Sequence, residues 1–163
     1  MNDDDSNLEK ELSNMTPQML ALYCHWLRAS AIMQNIFCFE KDIPNTEDLP
    51  PDFLQMAKMQ SSILSMEVYY ALLYVVVEGY RDMGYKAQSI DELLIKEEYV
   101  EQLRRFRNAI FHFQNTPISE KLLNFLEAKD SEHWIKKLHA EFEKFFHANL
   151  PVRNILAALK ECK

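Results

Sequence analysis

The sequence predicts an all-α protein, a compact bundle of about five to seven helices built around one long central helix. Three observations carry this. The chain has only two glycines, Gly79 and Gly84, in 163 residues, and an all-β fold needs many more for its tight turns. Leu, Met, Glu, Lys, Gln and Ala are plentiful, and these are good helix formers. Hydrophobic residues make up 48% of the chain, enough for one domain with a real core and too much for a disordered chain.

Residues 1–14 are polar and acidic and are expected to form a flexible tail, leaving 15–163 as a single domain. Thr16-Pro17 reads as an N-cap followed by proline at the first helical position, opening a helix to about Glu40. DIPNTEDLPP, Asp42 to Pro51, holds three prolines and reads as a loop. A long helix is expected from about Pro51 to Met83. Its run VYYALLYVVV, Val68–Val77, has the Tyr and Val content of a strand. Helix is preferred because no breaker interrupts Asp52 to Glu78, and ten residues is long for a strand. Apolar all round, this stretch is expected to be the most buried helix. Gly79 and Gly84 lie where it should weaken and end.

Ser89, with Glu92 three residues on, predicts a capped short helix. Another helix is expected over about Glu97–Gln114, broken at Pro117. Ser119–Ala128 predicts a further short helix. Ser131 is expected to cap a last amphipathic helix through Phe146, with a short terminal helix after the interruption at Pro151. No repeat is visible.

The net charge of -7 excludes a surface coated for nonspecific nucleic-acid binding, and DNA is not an expected partner; a local basic site is still possible, because steering depends on where charge lies. The three cysteines, Cys24, Cys38 and Cys162, are odd in number and fit no metal motif, so reduced thiols are expected. The N-terminus is acidic where a signal peptide would be basic, and the ten-residue apolar run falls short of the about 20 residues a bilayer span needs. A cytoplasmic protein without a membrane association is expected.

The stretch LRRFRNAIFHFQ, Leu103–Gln114, carries the functional question. At about 100° per residue, Tyr99, Leu103, Phe106, Ile110 and Phe113 form one apolar stripe, expected to face the core. Arg104, Arg107, Asn108, Phe111, His112 and Asn115 fall on the opposite side. Arginine offers a rigid fork of donors for phosphate, histidine exchanges a proton near neutral pH, and asparagine can orient either. Together they suit a phosphodiester. The competing reading is a solvated face whose arginines pair with Glu97, Glu98 and Glu101.

Arg107-Asn108-Ala109-Ile110-Phe111-His112 resembles the signature of the HEPN superfamily: an arginine, a polar residue, and a histidine after four to six intervening positions. The architectural resemblance spans residues 16–148, the motif only 104–114. It implies a helical bundle that dimerises, with the Arg and His of both protomers lining a cleft. Many members are metal-independent endoribonucleases of toxin–antitoxin, phage-defence or CRISPR systems; others are non-catalytic binding modules. Gln114 stands where the toxin branch paired with nucleotidyltransferase antitoxins carries tyrosine.

On this resemblance Arg107, Asn108 and His112 are the expected catalytic residues, Arg104 and Arg105 hold an RNA backbone, and Phe111 and Asn115 lie at a homodimer interface. RNA and an antitoxin or other partner protein are the implied partners; no cofactor is implied. The expected activity is an endoribonuclease leaving 2',3'-cyclic phosphate ends.

Two alternatives stay open: a non-catalytic HEPN-like scaffold, and an unrelated bundle binding a small apolar ligand. For the last, Tyr69, Tyr70, Tyr74 and Tyr80 with Phe37, Phe39 and Phe53 are candidate lining residues, although aromatics at helical spacing more often form core. Glu67 and Glu78 flank the buried run, and a buried acid there would need a partner, for which an arginine such as Arg107 or Arg81 is a candidate. His133, His139 and His147 lack metal-site spacing, so no metal is expected and they read as solvated or interfacial. His25, beside Trp26, reads as packing.

Overall fold

The computed structural model describes residues 16–38, 50–116 and 119–150. Six helices are present and no strand occurs among the described residues: α1 (Pro17–Cys38), α2 (Pro51–Asp82), α3 (Gln88–Leu94), α4 (Glu97–Phe111), α5 (Glu120–Leu126) and α6 (Ser131–Asn149). The all-α reading holds. The expected tail over 1–14, most of the proline-rich loop, Pro117 and the terminal helix after Pro151 lie outside the described residues.

Local chemistry sets the helix ends. Thr16 Oγ1 accepts from the Met19 backbone N–H at 3.3 Å, which satisfies one orphan donor of α1 as the sequence predicts. Ser119 caps α5 in the same way, accepting from Lys121 N–H. Ser89 and Ser131 do not cap. Both lie inside their helices, and Ala87 in extended backbone and Asp130 in left-handed backbone hold the cap positions.

The end of α2 is a Schellman motif. Gly84 has φ +68°, its N–H donates to the Arg81 carbonyl at 3.0 Å, and Tyr85 N–H reaches back to the Tyr80 carbonyl at 3.3 Å. Gly79 plays a different part. The helix continues through it to Asp82. A Cβ there would sit 2.7 Å from Leu22 Cδ1, so its lack of a side chain lets α1 approach α2.

The C-terminal half of α2 is the centre of the bundle, buried from Tyr69 to Tyr80 at eight positions. Two aromatic clusters meet on it. Tyr80 packs edge-on against Phe142 and Phe145 of α6, with ring centroids 5.5 and 5.6 Å away, and Phe146 carries the cluster to Tyr23 and Trp26 of α1. Tyr70 packs against Phe106 of α4 and Phe125 of α5, at 5.7 and 5.6 Å. Trp134 Nε1 donates to the Leu93 carbonyl and ties α6 to α3. By length and composition α2 could cross a membrane, but the burial of its apolar run among α1, α4 and α6 is that of a core helix.

Pairings along α2 fix directions. Arg81 meets Glu97 and Tyr70 meets Phe106, so α4 runs antiparallel to α2. The N-terminal half of α2 extends past this packing and leaves Phe53, Met56 and Met59 exposed.

Tyr80 also joins α2 to α3. Its hydroxyl donates to Asp91 Oδ1 at 2.9 Å and accepts from Ala87 N–H at 2.6 Å. Burial, and then the bond to Asp91, push its pKa up to about 12, so it stays protonated and keeps both roles. Tyr80→Phe is expected to lower stability by about 1–3 kcal/mol, the cost of stranding buried partners, read as an earlier urea midpoint with an unchanged slope.

Candidate functional site: the outer face of α4

Val100, Leu103, Phe106 and Ala109 are buried on α4, one stripe at helical spacing. This places Arg104, Arg105, Arg107 and Asn108 off the core. The stripe stops sooner than the sequence predicts. α4 ends at Phe111, and His112 is its C-cap in extended backbone, φ -122° and ψ 144°, with its N–H on the Asn108 carbonyl. Phe113, expected in the core, is 92% exposed, and the helical wheel does not apply to His112. The cause is the change of backbone: past Phe111 the chain no longer turns 100° per residue.

The three arginines divide into two settings. Arg107 turns toward α2. Its Nη2 lies 2.7 Å from Glu78 Oε1, and its guanidinium carbon sits 5.1 Å from the centre of the Tyr74 ring. Of the two flanking acids, Glu78 is paired with Arg107, one of the two candidate arginines, and is half exposed rather than buried; burial raises the pKa of the Glu67 carboxyl, with no arginine opposing it. Ion pair and cation–π contact together fix the plane of the guanidinium, whose Nε is buried without a partner among the described residues, while the side chain keeps 21% exposure.

Arg104 and Arg105 share Glu101 instead. Arg104 grips it with two bonds, Nε to Oε2 at 2.7 Å and Nη2 to Oε1 at 2.8 Å, and Arg105 Nε reaches Oε1 at 2.9 Å. These bonds hold the Glu101 carboxyl down to about 2. The pairing of surface arginines with Glu101 is the solvated-face arrangement, but two cations share one anion and the group stays positive.

Arg104, Arg105 and Asn108 line a groove of about 400 Å³ between α4 and α5, closed on the other side by Glu120, Lys121 and Asn124. Lys121 and Asn124 are not marked by any sequence motif; only the packing of α5 on α4 through Phe125 and Phe106 brings them there. Gln114 was noted only as a departure from tyrosine. Its Nε2 donates to the His112 carbonyl at 2.8 Å, and its Oε1 accepts from Lys121 Nζ at 3.5 Å, so it ties the segment bearing His112 to α5.

The expected site residues are therefore partly assembled. Arg104, Arg105 and Asn108 share the groove. Arg107 is anchored on α2, and His112 is exposed just past the helix. No hydrogen bond joins Arg107 to His112 among the described residues. Phe111 is 51% exposed and Asn115 is exposed, as residues available to a partner must be. No group of metal-binding side chains occurs among the described residues. His139, expected as solvated or interfacial, is instead buried against Trp26 and Tyr69.

Because its pKa is lowered in the folded chain, Glu101 contributes stability that is fully present above the ordinary carboxylate range, about 4.3, and is lost as pH falls through about 2. A carboxyl NMR titration is expected to show that low midpoint. Glu101→Gln removes the shared anion and should raise affinity for a polyanion such as heparin with a steeper salt dependence; unchanged retention on heparin would show that Arg104 and Arg105 are not freed by the change. The chain matches no family model, no curated protein and no solved structure, so the chemistry of this face rests on its own geometry.

Proposed function

We propose that this chain is a HEPN-like, homodimeric RNA-binding protein that cleaves RNA without a metal ion. The observation that supports it most is the groove between α4 and α5 that gathers Arg104, Arg105, Asn108 and Lys121 against one acid, Glu120, in a chain whose net charge is -7. A positive groove on an acidic protein is local and directional, as phosphate recognition requires.

In this reading Arg104, Arg105 and Lys121 hold backbone phosphates. His112 takes the proton from an RNA 2'-hydroxyl, the freed oxygen attacks the adjacent phosphorus, and the 5'-oxygen leaves with a proton returned by the imidazolium. Arg107, its plane fixed by Glu78 and Tyr74, stabilises charge on the phosphoryl oxygens. Asn108 positions the phosphate. The products carry a 2',3'-cyclic phosphate and a 5'-hydroxyl.

Exposed aromatic surface supports the dimer. Phe111 and Phe113 at the end of α4, and Phe53, Met56 and Met59 on the overhang of α2, are all more than half exposed. A second copy would cover such side chains, and a two-fold axis would double the local positive charge. The implied setting is a cytoplasmic toxin, phage-defence or stress-response component, with an antitoxin as a possible further partner.

One observation favours a second reading, a non-catalytic HEPN-like module. Arg107 is already paired with Glu78, as a structural arginine would be. Cleavage decides between them. The purified protein in EDTA is expected to cut single-stranded RNA, and His112→Ala should slow the reaction by about 10²–10⁴-fold while leaving RNA binding in place. Equal cleavage by His112→Ala would sink the catalytic assignment; binding without any cleavage by the wild type would establish the scaffold. Light scattering after size exclusion should give twice the chain mass.

A further inference from the structure

The groove between α4 and α5 holds one group that phosphate recognition does not use. Its α4 wall carries Arg104, Arg105 and Asn108, and its α5 wall carries Glu120, Lys121 and Asn124. Arginine and lysine suit phosphate oxygens. A carboxylate repels them, so Glu120 weakens a groove that serves the backbone alone.

The acids beside the α4 arginines are paired. Glu101 is gripped by Arg104 and Arg105, and Glu78 by Arg107. Glu120 shares its groove with three cations, yet its carboxylate has no ion pair among the described residues. It lies in the first turn of α5, where a negative charge complements the helix dipole. That accounts for an acid at this end of the helix but leaves Asn124 aside. Glu120 and Asn124 are four residues apart on α5 and so are neighbours on one helix face. Both line the groove and both are exposed, so a ligand reaches them without any opening of the fold.

The pair has the donor and acceptor pattern of a base reader. An ionised carboxylate offers two acceptor oxygens and no donor, and an asparagine amide supplies a donor. The Watson–Crick edge of an unpaired base is open to such groups. Guanine presents two adjacent donors there, N1–H and the N2 amino group, with the acceptor O6 beside them. Uracil offers one donor between two carbonyls. Adenine and cytosine each offer one amino group beside an acceptor nitrogen. Only guanine matches two acceptors and a donor in that order. The groove, at about 400 Å³, lies within the roughly 300–1,000 Å³ typical of small-molecule sites.

We propose that Glu120 and Asn124 select guanine. An unpaired guanine enters the groove, its N1–H and N2–H donate to the Glu120 carboxylate, and its O6 accepts from the Asn124 amide. Arg104, Arg105 and Lys121 hold the flanking phosphates. The proposal rests on the reading of this groove as an RNA site and adds to it the base that the site reads.

The whole chain would be titrated, at one fixed salt concentration, with labelled oligouridylates carrying one internal guanine, inosine, adenine or cytosine. The oligonucleotides are 2'-O-methylated throughout, so that no cleavage can occur, and binding is read by fluorescence anisotropy. Guanine is expected to bind about 5- to 100-fold more tightly than adenine or cytosine, with inosine, which lacks the N2 amino group, between them. Glu120→Gln should abolish this preference while binding the adenine oligonucleotide at least as tightly as the wild type, because a repelling charge is gone. A merely structural loss would weaken all four together. Glu120→Ala serves the same purpose if the glutamine variant misfolds. Guanine preference kept in a folded Glu120 variant, or equal binding of all four by the wild type, overturns this proposal and leaves the RNA reading standing. Binding of none of the four overturns both.

Discussion

From Tyr69 to Tyr80 helix α2 is buried on most of its circumference, and the other helices are placed by the need to cover it. A large apolar side chain taken from water is worth roughly 1.5–3 kcal/mol, against about 0–1 kcal/mol for an exposed ion pair. Burial therefore decides registers, and charges take the positions that remain. α4 turns Leu103 and Phe106 inward, both fully buried, and its arginines are then committed: Arg107 beside α2, Arg104 and Arg105 over α5. The same constraint explains Gly79. With Tyr80 held between Phe142 and Phe145, Gly79, about 100° round the helix, faces α1, and Leu22 fills the room a side chain would take.

Each arginine of α4 has a nearby acid, but the two settings differ in strength. Glu101 is reached by three N–H donors from two arginines on an exposed face, where side-chain bonds can be exchanged with water or phosphate at little cost. Arg107 has one ion-pair partner, but it is partly buried and stacked on Tyr74, a setting that keeps its orientation. Of the three arginines, two can exchange partners and the third is held against α2. This division of labour distinguishes the face from an ordinary solvated helix, where every pair would resemble the one at Glu101.

The helices were legible because periodicity and breakers spoke clearly. The cap at Thr16, the stop at Gly84 and the central run at Val68–Val77 follow from residue chemistry. The partner of Glu78 was narrowed to Arg107 or Arg81 by the cost of leaving an acid near the core alone. What was not legible were the last residues of each pattern. Phe113 continues the apolar period of α4 in sequence, yet the helix stops at Phe111 and Phe113 stands in solvent. Ser89 and Ser131 have the right chemistry for caps, but their backbones are already helical. Lys121 and Asn124 reach the groove only through tertiary packing of α5, which no local pattern encodes. His139 sits eight residues from His147 in an amphipathic helix, and only the docking of α1 through Trp26 decides that one is buried and the other exposed.

The buried tyrosines show where the fold is not optimised for itself. The half-buried Tyr99 bonds the Lys129 carbonyl, and the fully buried Tyr80 bonds Asp91 and Ala87. Tyr69 is as deeply buried, and its hydroxyl has no partner among the described residues. A buried hydroxyl left alone costs about 1–3 kcal/mol, and phenylalanine would fill almost the same volume without that cost. The neighbouring His139 repeats the arrangement with one nitrogen bonded to Ser30 and the other orphaned. Two unmet polar atoms on neighbouring rings mark a local loss of stability that apolar side chains of the same shape would avoid, so packing alone does not account for the residues chosen there.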